Sequence, residues 1–121
     1  MAEYEIFKLN KDFRRLYGRG KCLVFPSVVV YYSKNNLGHC RMGITASKKL
    51  GCAVKRNRAK RVITAAFRNL LPLFTQGYDF VFVARVKTTY VKSTVIFNSV
   101  KNGLMKDGVL KHNEEDTHKA D

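Results

Sequence analysis

Acidic side chains are absent from the middle of this chain, and this separation of charge limits how the middle can fold. No Asp or Glu occurs between Asp12 and Asp79, whereas that span contains 14 Lys or Arg residues. We expect these cations to have no partners within the chain and to lie on an exposed surface. The remaining nine basic and nine acidic residues cancel, so the net charge of +14 belongs to the middle of the chain. Such a surface favours a polyanionic partner, with nucleic acid first and an anionic membrane surface second.

The size and composition of the chain fit one globular domain. Its residues are 45% hydrophobic and 12% aromatic, so 1–121 is interpreted as a single nucleic-acid-binding domain with a modest core. Cys22, Cys40 and Cys52 form no C-x-x-C pair, which predicts neither a zinc site nor a disulfide framework. The start of the chain is acidic where a signal peptide is basic, and no apolar run approaches the roughly 18 residues of a membrane span. These features predict a cytoplasmic protein with reduced thiols and no membrane partner.

Hydrophobic patterning predicts an α+β domain with the element order α-β-β-β-α-β-α. The first helix lies in "LNKDFRRLYGRG", with Asn10 as a cap and Gly18 as a stop. Its apolar stripe consists of Phe13, Leu16 and Tyr17. This stripe is interpreted first as core packing and second as a stacking surface for a ligand. Three strands are then expected in "CLVF", "SVVVYYS" and "HCRMGITAS".

The third of these strands has two different faces. Core-like residues alternate in it with small or polar ones. The core-like set is Met42, Ile44 and Ala46, and the other set is Arg41, Gly43, Thr45 and Ser47. A sheet face lined by small residues leaves room for a ligand to lie against it.

The longest predicted helix carries the densest positive charge. It follows a basic loop, "KKLGCAVKRN", and is expected to end near Pro72. Its buried stripe consists of Val62, Ile63, Ala66, Phe67, Leu70 and Leu71. On a helical wheel, the band opposite Ile63 consists of Arg58, Arg61, Ala65 and Arg68, whereas Arg56 and Lys60 fall nearer the apolar side. Since a helix N-terminus prefers acidic side chains, folding does not explain these cations, and the band is expected to bind the backbone of a folded nucleic acid.

The end of the chain predicts one strand, one helix and a tail. "YDFVFVAR" is apolar on both faces, as in a central, covered strand. A last helix spans about Ser93 to Lys106 and is weakened by Gly103. Its core positions are Val95 or Ile96, Val100 and Leu104. The polar segment 108–121 is expected to be a disordered tail, which leaves an ordered core of about 9–107.

Groups that could perform catalysis are scarce. His39 begins a predicted strand, and His112 and His118 lie in the tail. No carboxylate in the basic span could orient an imidazole or share a metal ion with one. A self-contained nuclease normally holds two metal ions between several carboxylates. We therefore expect no catalytic residue and no metal site on this chain, and any phosphodiester chemistry should take its metal ligands from a partner.

The aromatic residues predict a second binding surface. Phe13 and Tyr17 on the first helix, with Tyr31 beside Val29 on the second strand, could form a groove. The opposite side of this groove would be the small-residue face of the third strand. Stacking of unpaired bases on such rings contributes about 1–3 kcal/mol each and tolerates any sequence. The sequence thus predicts an arginine band for folded RNA and an aromatic groove for a single strand.

The segment "RMGITASKKLGCAVKRNRAKRVITAAFR", Arg41 to Arg68, resembles the signature of the protein subunit of bacterial ribonuclease P. A strand ending in S-K-K, a G-x-A-V loop, R-N-R-x-K-R and A-F-R occur in it with unbroken spacing. "DFRRLYGRG" and "DFVFVAR" also fit, so the resemblance covers roughly residues 9 to 107. It implies a fold similar to the second domain of small-subunit ribosomal protein five, with a left-handed β-α-β crossover.

The resemblance also implies a function. In this family a large catalytic RNA uses magnesium to hydrolyse the phosphodiester at the mature 5′ end of precursor transfer RNA, while the protein holds that RNA and the 5′ leader. Together with the arginine band, it assigns RNA binding to Lys48, Lys49, Lys55, Arg56, Asn57, Arg58, Lys60, Arg61 and Arg68. The implied leader cleft consists of Phe13, Tyr17, Val29, Tyr31 and Thr45. The implied cofactor is magnesium, held mainly by the RNA, with no organic cofactor.

Two positions depart from the family pattern. Thr64 stands where Arg is common, and Ala65 stands where an acid is common. The missing Arg puts one customary contact near the cleft in question.

Two other functions stay open from the residues alone. A ribosomal or ribosome-assembly RNA-binding protein fits the composition and the arginine band equally well, and only the R-N-R pattern beside an aromatic groove separates it from a ribonuclease P subunit. An enzyme that is catalytic on its own predicts cleavage by the protein without RNA.

Overall fold

A five-stranded sheet with helices on both faces forms the fold. The computed structural model describes residues 4–6 and 10–110. The strands and α-helices are β1 (Tyr4–Ile6), α1 (Asn10–Arg19), β2 (Lys21–Val24), β3 (Val28–Lys34), β4 (Cys40–Thr45), α2 (Ala53–Leu70), β5 (Tyr78–Ala84) and α3 (Ser93–Lys106). Short 3₁₀ turns occupy Lys48–Leu50, Leu71–Leu73 and Val86–Thr89. This order confirms the predicted mixed α+β succession from α1 to α3.

The sheet has the strand order β1-β4-β5-β3-β2, with β5 at its centre. β5 pairs parallel with β4 and antiparallel with β3, and α2 provides the crossover between β4 and β5. β1, which was not predicted, pairs parallel with β4 at the edge. Its three residues are too few to show a periodicity of two, so only its partner strand identifies it.

The main core lies between the sheet and the pair α2 and α3. Alternate residues of three strands face it: Val28, Val30 and Tyr32 from β3, Cys40 and Met42 from β4, and Phe80 and Phe82 from β5. The helices add Ala59, Ile63, Ala66, Phe67 and Leu70 from α2 and Ile96, Val100 and Leu104 from α3. The predicted core face of β4 and the buried stripe of α2 are therefore confirmed, although Val62 is only partly buried. Ile96, not the exposed Val95, is the core residue at the start of α3.

Gly103 has a packing role that its low helix propensity conceals. A Cβ at this position would lie 2.7 Å from Cζ of Phe25 and 3.2 Å from Cδ1 of Leu23. The absence of a side chain thus lets α3 approach the β2 hairpin closely, which offsets the cost of glycine within a helix.

α1 packs on the opposite face of the sheet, over a smaller apolar cluster. Leu16 and Val81 are its buried centre, and Phe13, Tyr31 and Val83 pack around them. The helix continues through Gly18 to Arg19, so the predicted stop at Gly18 is wrong. The chain turns at Gly20, whose N–H donates to the Leu16 carbonyl at 2.8 Å.

Two predicted boundaries change in the structure. α2 begins at Ala53, so Lys55, Arg56 and Asn57 of the predicted basic loop belong to its first turns. The second boundary is the start of the predicted tail. There α3 is terminated by Gly108 at φ 80°, and the Val109 N–H donates to the Leu104 carbonyl. Leu110 is buried in the main core, so 108–110 are part of the fold and not of a disordered tail. The rest of the predicted tail lies outside the described residues.

Candidate nucleic-acid interface

An open cleft lies between α1 and the exposed part of the sheet beneath it. The strand register places Val29, Val83 and Thr45 side by side on β3, β5 and β4. The next row contains Tyr31, Val81 and Gly43. The structure therefore brings the predicted β3 and β4 residues to one face, but β5 lies between them and its valines form the floor.

The wall of the cleft is the aromatic side of α1. Tyr17 Oη lies 2.9 Å from Thr45 Oγ1, and the Tyr17 and Tyr31 rings meet edge to face at 4.9 Å between centroids. Tyr17 is 41% exposed although its hydroxyl and its ring make these two contacts. A cavity of about 550 Å³ opens here, lined by Asn10, Phe13, Arg14, Tyr17, Ile44 and Thr45. Of the five predicted cleft residues, Phe13, Tyr17 and Thr45 line this cavity, and Val29 and Tyr31 lie on the same face of the sheet.

Three residues at this cleft were missed by sequence reasoning. Val83 was interpreted only as part of a strand covered on both faces, and its alternation with the buried Phe82 is the signal that places it on the cleft face. Asn10 was predicted only as a cap, and Arg14 only as one cation among many. Both lie one helical turn from Phe13 or Tyr17, a spacing that predicts a shared face.

Tyr31 remains an uncharged phenol at neutral pH. A hydrogen bond with Cys22, its cross-strand neighbour on β2, and the nearness of that thiol raise the pKa of Tyr31 above its ordinary value of 10.0. A neutral ring offers a stacking surface that does not repel phosphate.

Asp79 is a buried hub on the opposite side of α1. Its carboxylate accepts hydrogen bonds from Arg41 Nε and Nη2 at 2.9 and 2.7 Å, from Arg15 Nη2 at 2.9 Å and from Asn35 Nδ2 at 2.7 Å. Burial alone would raise the pKa of Asp79, but the bonds from Arg41 and Asn35 and the two positive charges hold that pKa below its ordinary value. The expectation that the 14 cations lack partners is therefore wrong for Arg15 and Arg41.

The outer face of α2 presents cations to solvent. Its exposed residues include Asn57, Lys60, Arg61, Ala65 and Arg68, while Thr64 is half-buried between them. Among the described residues, neither Lys60 nor Arg61 forms a salt bridge, and Arg68 Nε lies 3.4 Å from Tyr4 Oη. This part of the predicted arginine band is confirmed as an exposed surface.

Arg58 does not extend from this face as the helical wheel predicted. Its guanidinium donates to the Thr89 carbonyl at 2.7 Å and to the Val91 carbonyl at 3.2 Å. These carbonyls belong to the last residue of the 3₁₀ turn Val86–Thr89 and to the segment between that turn and α3. Arg58 therefore ties α2 to the turn before α3. Arg56 is half-buried, and its Nε has no hydrogen-bond partner among the described residues.

A short basic connection links the cleft to α2. Lys48 and Lys49 are exposed on the 3₁₀ turn that follows β4, and the buried Leu50 anchors this turn to the core. Gly51 then adopts φ 119°, a backbone conformation that favours glycine. Lys55 is exposed in the first turn of α2. The connection places Lys48 and Lys49 within a few residues of Thr45 in the cleft and leads directly into the cationic start of α2.

The described residues include no group of three or more His, Cys, Asp or Glu side chains arranged to hold a metal ion. His39 Nε2 lies 3.6 Å from Glu5 Oε1 at the sheet edge, while His112 and His118 lie outside the described part of the chain. Within that same part, no helix combines the length and apolar character needed to cross a membrane.

Comparisons with known proteins agree on one family. The sequence model of the family described as Ribonuclease P matches residues 1–107. The ribonuclease P protein component of Pelotomaculum thermopropionicum is 41% identical over 100 residues, which cover 83% of this chain and 89% of that protein. The ribonuclease P protein component of Clostridium botulinum strain Loch Maree is 41% identical over 110 residues, 90% of this chain and 98% of its own.

Solved structures show the same architecture. The RNase P protein of Staphylococcus aureus superposes with a TM-score of 0.75 at 33% identity and covers 90% of this chain and 100% of its own. The RNase P protein of Thermotoga maritima superposes with a TM-score of 0.72 at 29% identity and covers 84% and 96%.

Proposed function

The chain belongs to the ribonuclease P protein family, and we propose that it binds the 5′ leader of precursor transfer RNA in the cleft beside α1 and the catalytic RNA through α2. Membership of the family makes it the protein component of a transfer-RNA-processing endoribonuclease, with a ribonuclease P RNA as its partner.

The observation that carries the leader assignment is the pair of Tyr17, which is exposed, and Tyr31, which is half-buried, above an apolar floor. Their rings meet edge to face, and Val29, Val83 and Thr45 lie in one row beneath them. The cleft offers aromatic and apolar surface on which unpaired bases of any sequence can stack. A duplex would not enter it, because paired bases do not present their faces to a side chain.

The outer face of α2 and the 3₁₀ turn before it support the second assignment. Lys48, Lys49, Lys60, Arg61 and Arg68 are exposed there. Lysine and arginine bind the phosphates of folded RNA by charge, and arginine adds a forked donor. Because the basic connection joins this surface to the cleft, one protein can hold the catalytic RNA and bring the leader beside it.

Catalysis is assigned to the partner RNA, and magnesium is assigned mainly to that RNA as well. Asp79, the buried carboxylate on the other side of α1 from the cleft, accepts bonds from Arg15, Asn35 and Arg41 and is held ionised with its oxygens occupied. The donor set of the described residues therefore does not fit a magnesium site. The role of the protein is to neutralise phosphates where two RNAs meet, which lowers the magnesium concentration that their association requires.

Cleavage of a 5′-labelled precursor transfer RNA at low magnesium tests this function. Three reactions are compared: the protein alone, a bacterial ribonuclease P RNA alone, and the mixture. Mature 5′ ends made efficiently only by the mixture are expected. An RNA that is not stimulated would favour a ribosomal or ribosome-assembly role, and cleavage by the protein alone would place an active site on the chain.

A further inference from the structure

α1 has a cavity on each side, and only one of them is the cleft. The second cavity has a volume of about 400 Å³ and is lined by Arg15, Leu16, Arg19, Ser33, Lys34, Asn35, Asn36, Leu37, Arg41 and Asp79. Its α1 residues lie on the other side of the helix from Asn10, Phe13, Arg14 and Tyr17, which line the cleft cavity. We infer that this second cavity binds a phosphate group of RNA through Arg19 and Lys34, an inference that rests on the proposed function.

The charges in this cavity do not cancel. Asp79 is the carboxylate that lines it, and that carboxylate is bonded to Arg41 and Arg15. Arg19 and Lys34 are exposed, and neither forms a salt bridge with any described residue. Two cations therefore remain at the rim after the buried acid has been neutralised, which is an arrangement that attracts an anion.

A neighbouring cavity places the same two side chains at the centre of a wider cationic region. It has a volume of about 320 Å³ and is lined by Arg19, Lys21, Tyr32, Ser33, Lys34, Tyr78, Asp107, Gly108 and Val109. Arg19 and Lys34 line both cavities, and Lys21 adds a third cation. The carboxylate that lines this neighbouring cavity is that of Asp107, and its Oδ2 accepts a hydrogen bond from the Tyr32 hydroxyl at 2.5 Å. Three cations thus face one carboxylate that is already hydrogen-bonded.

The other lining groups favour a nucleotide over an isolated ion. Leu37 is 52% exposed at the rim, and the side chains of Ser33 and Asn36 line the same space. A hydroxyl, an amide and an apolar surface beside two cations can contact the sugar and base that accompany a phosphate. A volume of about 400 Å³ lies within the range of roughly 300–1,000 Å³ that is common for ligand pockets. The chemical class is therefore a nucleotide unit of an RNA strand.

Either RNA of the holoenzyme could supply this phosphate, and a double variant, Arg19→Gln with Lys34→Gln, distinguishes the two. The matched control is Lys101→Gln with Lys106→Gln, which removes the same charge from α3 on the opposite face of the sheet. The dissociation constant is measured against salt in two titrations, one with the cognate ribonuclease P RNA and one with assembled holoenzyme and precursors of short or long leader. Thermal unfolding of each variant verifies that the substitutions leave the fold intact.

The inference predicts that the double variant lowers the steepness of log Kd against log salt by about 0.7 to 0.9 in one of these titrations, which is the contribution of one phosphate contact. A lower steepness in the titration with ribonuclease P RNA would show that the catalytic RNA supplies the phosphate. A lower steepness only with precursors of long leader would show that the distal leader supplies it. Slopes equal to those of the control in both titrations would overturn the inference. Cleavage is also measured with the wild-type protein in the same assembly. If the wild-type protein stimulates cleavage while the slopes equal those of the control, the inference fails and the proposed function stands.

Discussion

Arg15 Nη2 lies 2.9 Å from Asp79 Oδ2, and this ion pair joins α1 to the central strand of the sheet. The same carboxylate binds Arg41 of β4 and Asn35 of the turn before it, so three parts of the fold meet at one side chain. The apolar cluster under α1 has only Leu16 and Val81 as its buried centre. The position of the cleft wall therefore depends on Asp79 as well as on apolar packing.

Replacing Asp79 with Asn should destabilise the protein and loosen the cleft wall. The Arg41 side chain is largely buried, and removing its charged partner from a buried pair costs about 3 kcal/mol or more. The free energy of unfolding at pH 7, measured with urea, should fall by that amount. Glu5→Gln is the matched control, because Glu5 is an exposed partner of the same Arg41 at 4.0 Å and its loss should cost less than about 1 kcal/mol.

The contribution of Asp79 to the free energy of unfolding should decrease as the pH falls. Because the folded-state pKa of Asp79 is lowered, its contribution is present above the unfolded carboxyl pKa of about 3.9 and is lost as the pH falls through the folded value. The difference in unfolding free energy between wild type and Asp79→Asn should thus be full at pH 7 and should shrink below about pH 4. A difference that stays constant down to pH 2 would mean that the ionised carboxylate is not the stabilising form.

Substitution of Arg58 should mainly lower stability, whereas substitution of Arg61 should mainly change RNA binding. Arg58→Ala removes donors from the Thr89 and Val91 carbonyls, and a hydrogen bond from a charged donor contributes about 1.5–3 kcal/mol. Arg58→Ala should therefore lower the unfolding free energy by this order, whereas Arg61→Ala should leave it within about 0.5 kcal/mol. In salt titrations with the catalytic RNA, Arg61→Ala should reduce the steepness by nearly one unit. An unchanged steepness for Arg61→Ala would remove this face of α2 from the interface.

Thr64→Arg should strengthen binding to RNA. Thr64 is half-buried on the cationic face of α2, one turn from Arg61 and from Arg68. The substitution should add about 0.7 to 0.9 to the salt dependence if the new side chain meets a phosphate. Like charges one turn apart should cost the free protein a few tenths of a kcal/mol. Thr64→Gln, which adds length without charge, is the control and should leave the salt dependence unchanged.

Local patterns were sufficient for most of the fold. The bounds of α3, the central place of β5 and the two faces of β4 follow from residue periodicity, because each element is long enough to show it. β1 could not be predicted from three residues, and the end of the fold at Leu110 depends on burial against distant helices. Gly103 was interpreted as a weakness of α3, since its contact with Phe25 exists only in three dimensions.

The candidate site was predictable in its residue types but not in its pairings. Phe13, Tyr17 and Tyr31 share a cleft as their spacing suggested. Val83 enters the same cleft only because β5 lies between β3 and β4, which is a matter of strand order. Asp79 and Arg41 pair across two strands, so a count of charges along the chain could not show that this cation is neutralised.

The affinities of the holoenzyme for precursor and for mature transfer RNA test the central claim most directly. They are compared for the wild-type protein, for Tyr31→Ala in the cleft, and for Tyr90→Ala, which removes a tyrosine that is 65% exposed outside it. The account predicts that Tyr31→Ala weakens precursor binding by about 1–3 kcal/mol, the contribution of one stacked base, and leaves mature transfer RNA and Tyr90→Ala at wild-type values. Equal losses for precursor and mature transfer RNA would contradict a leader-binding cleft.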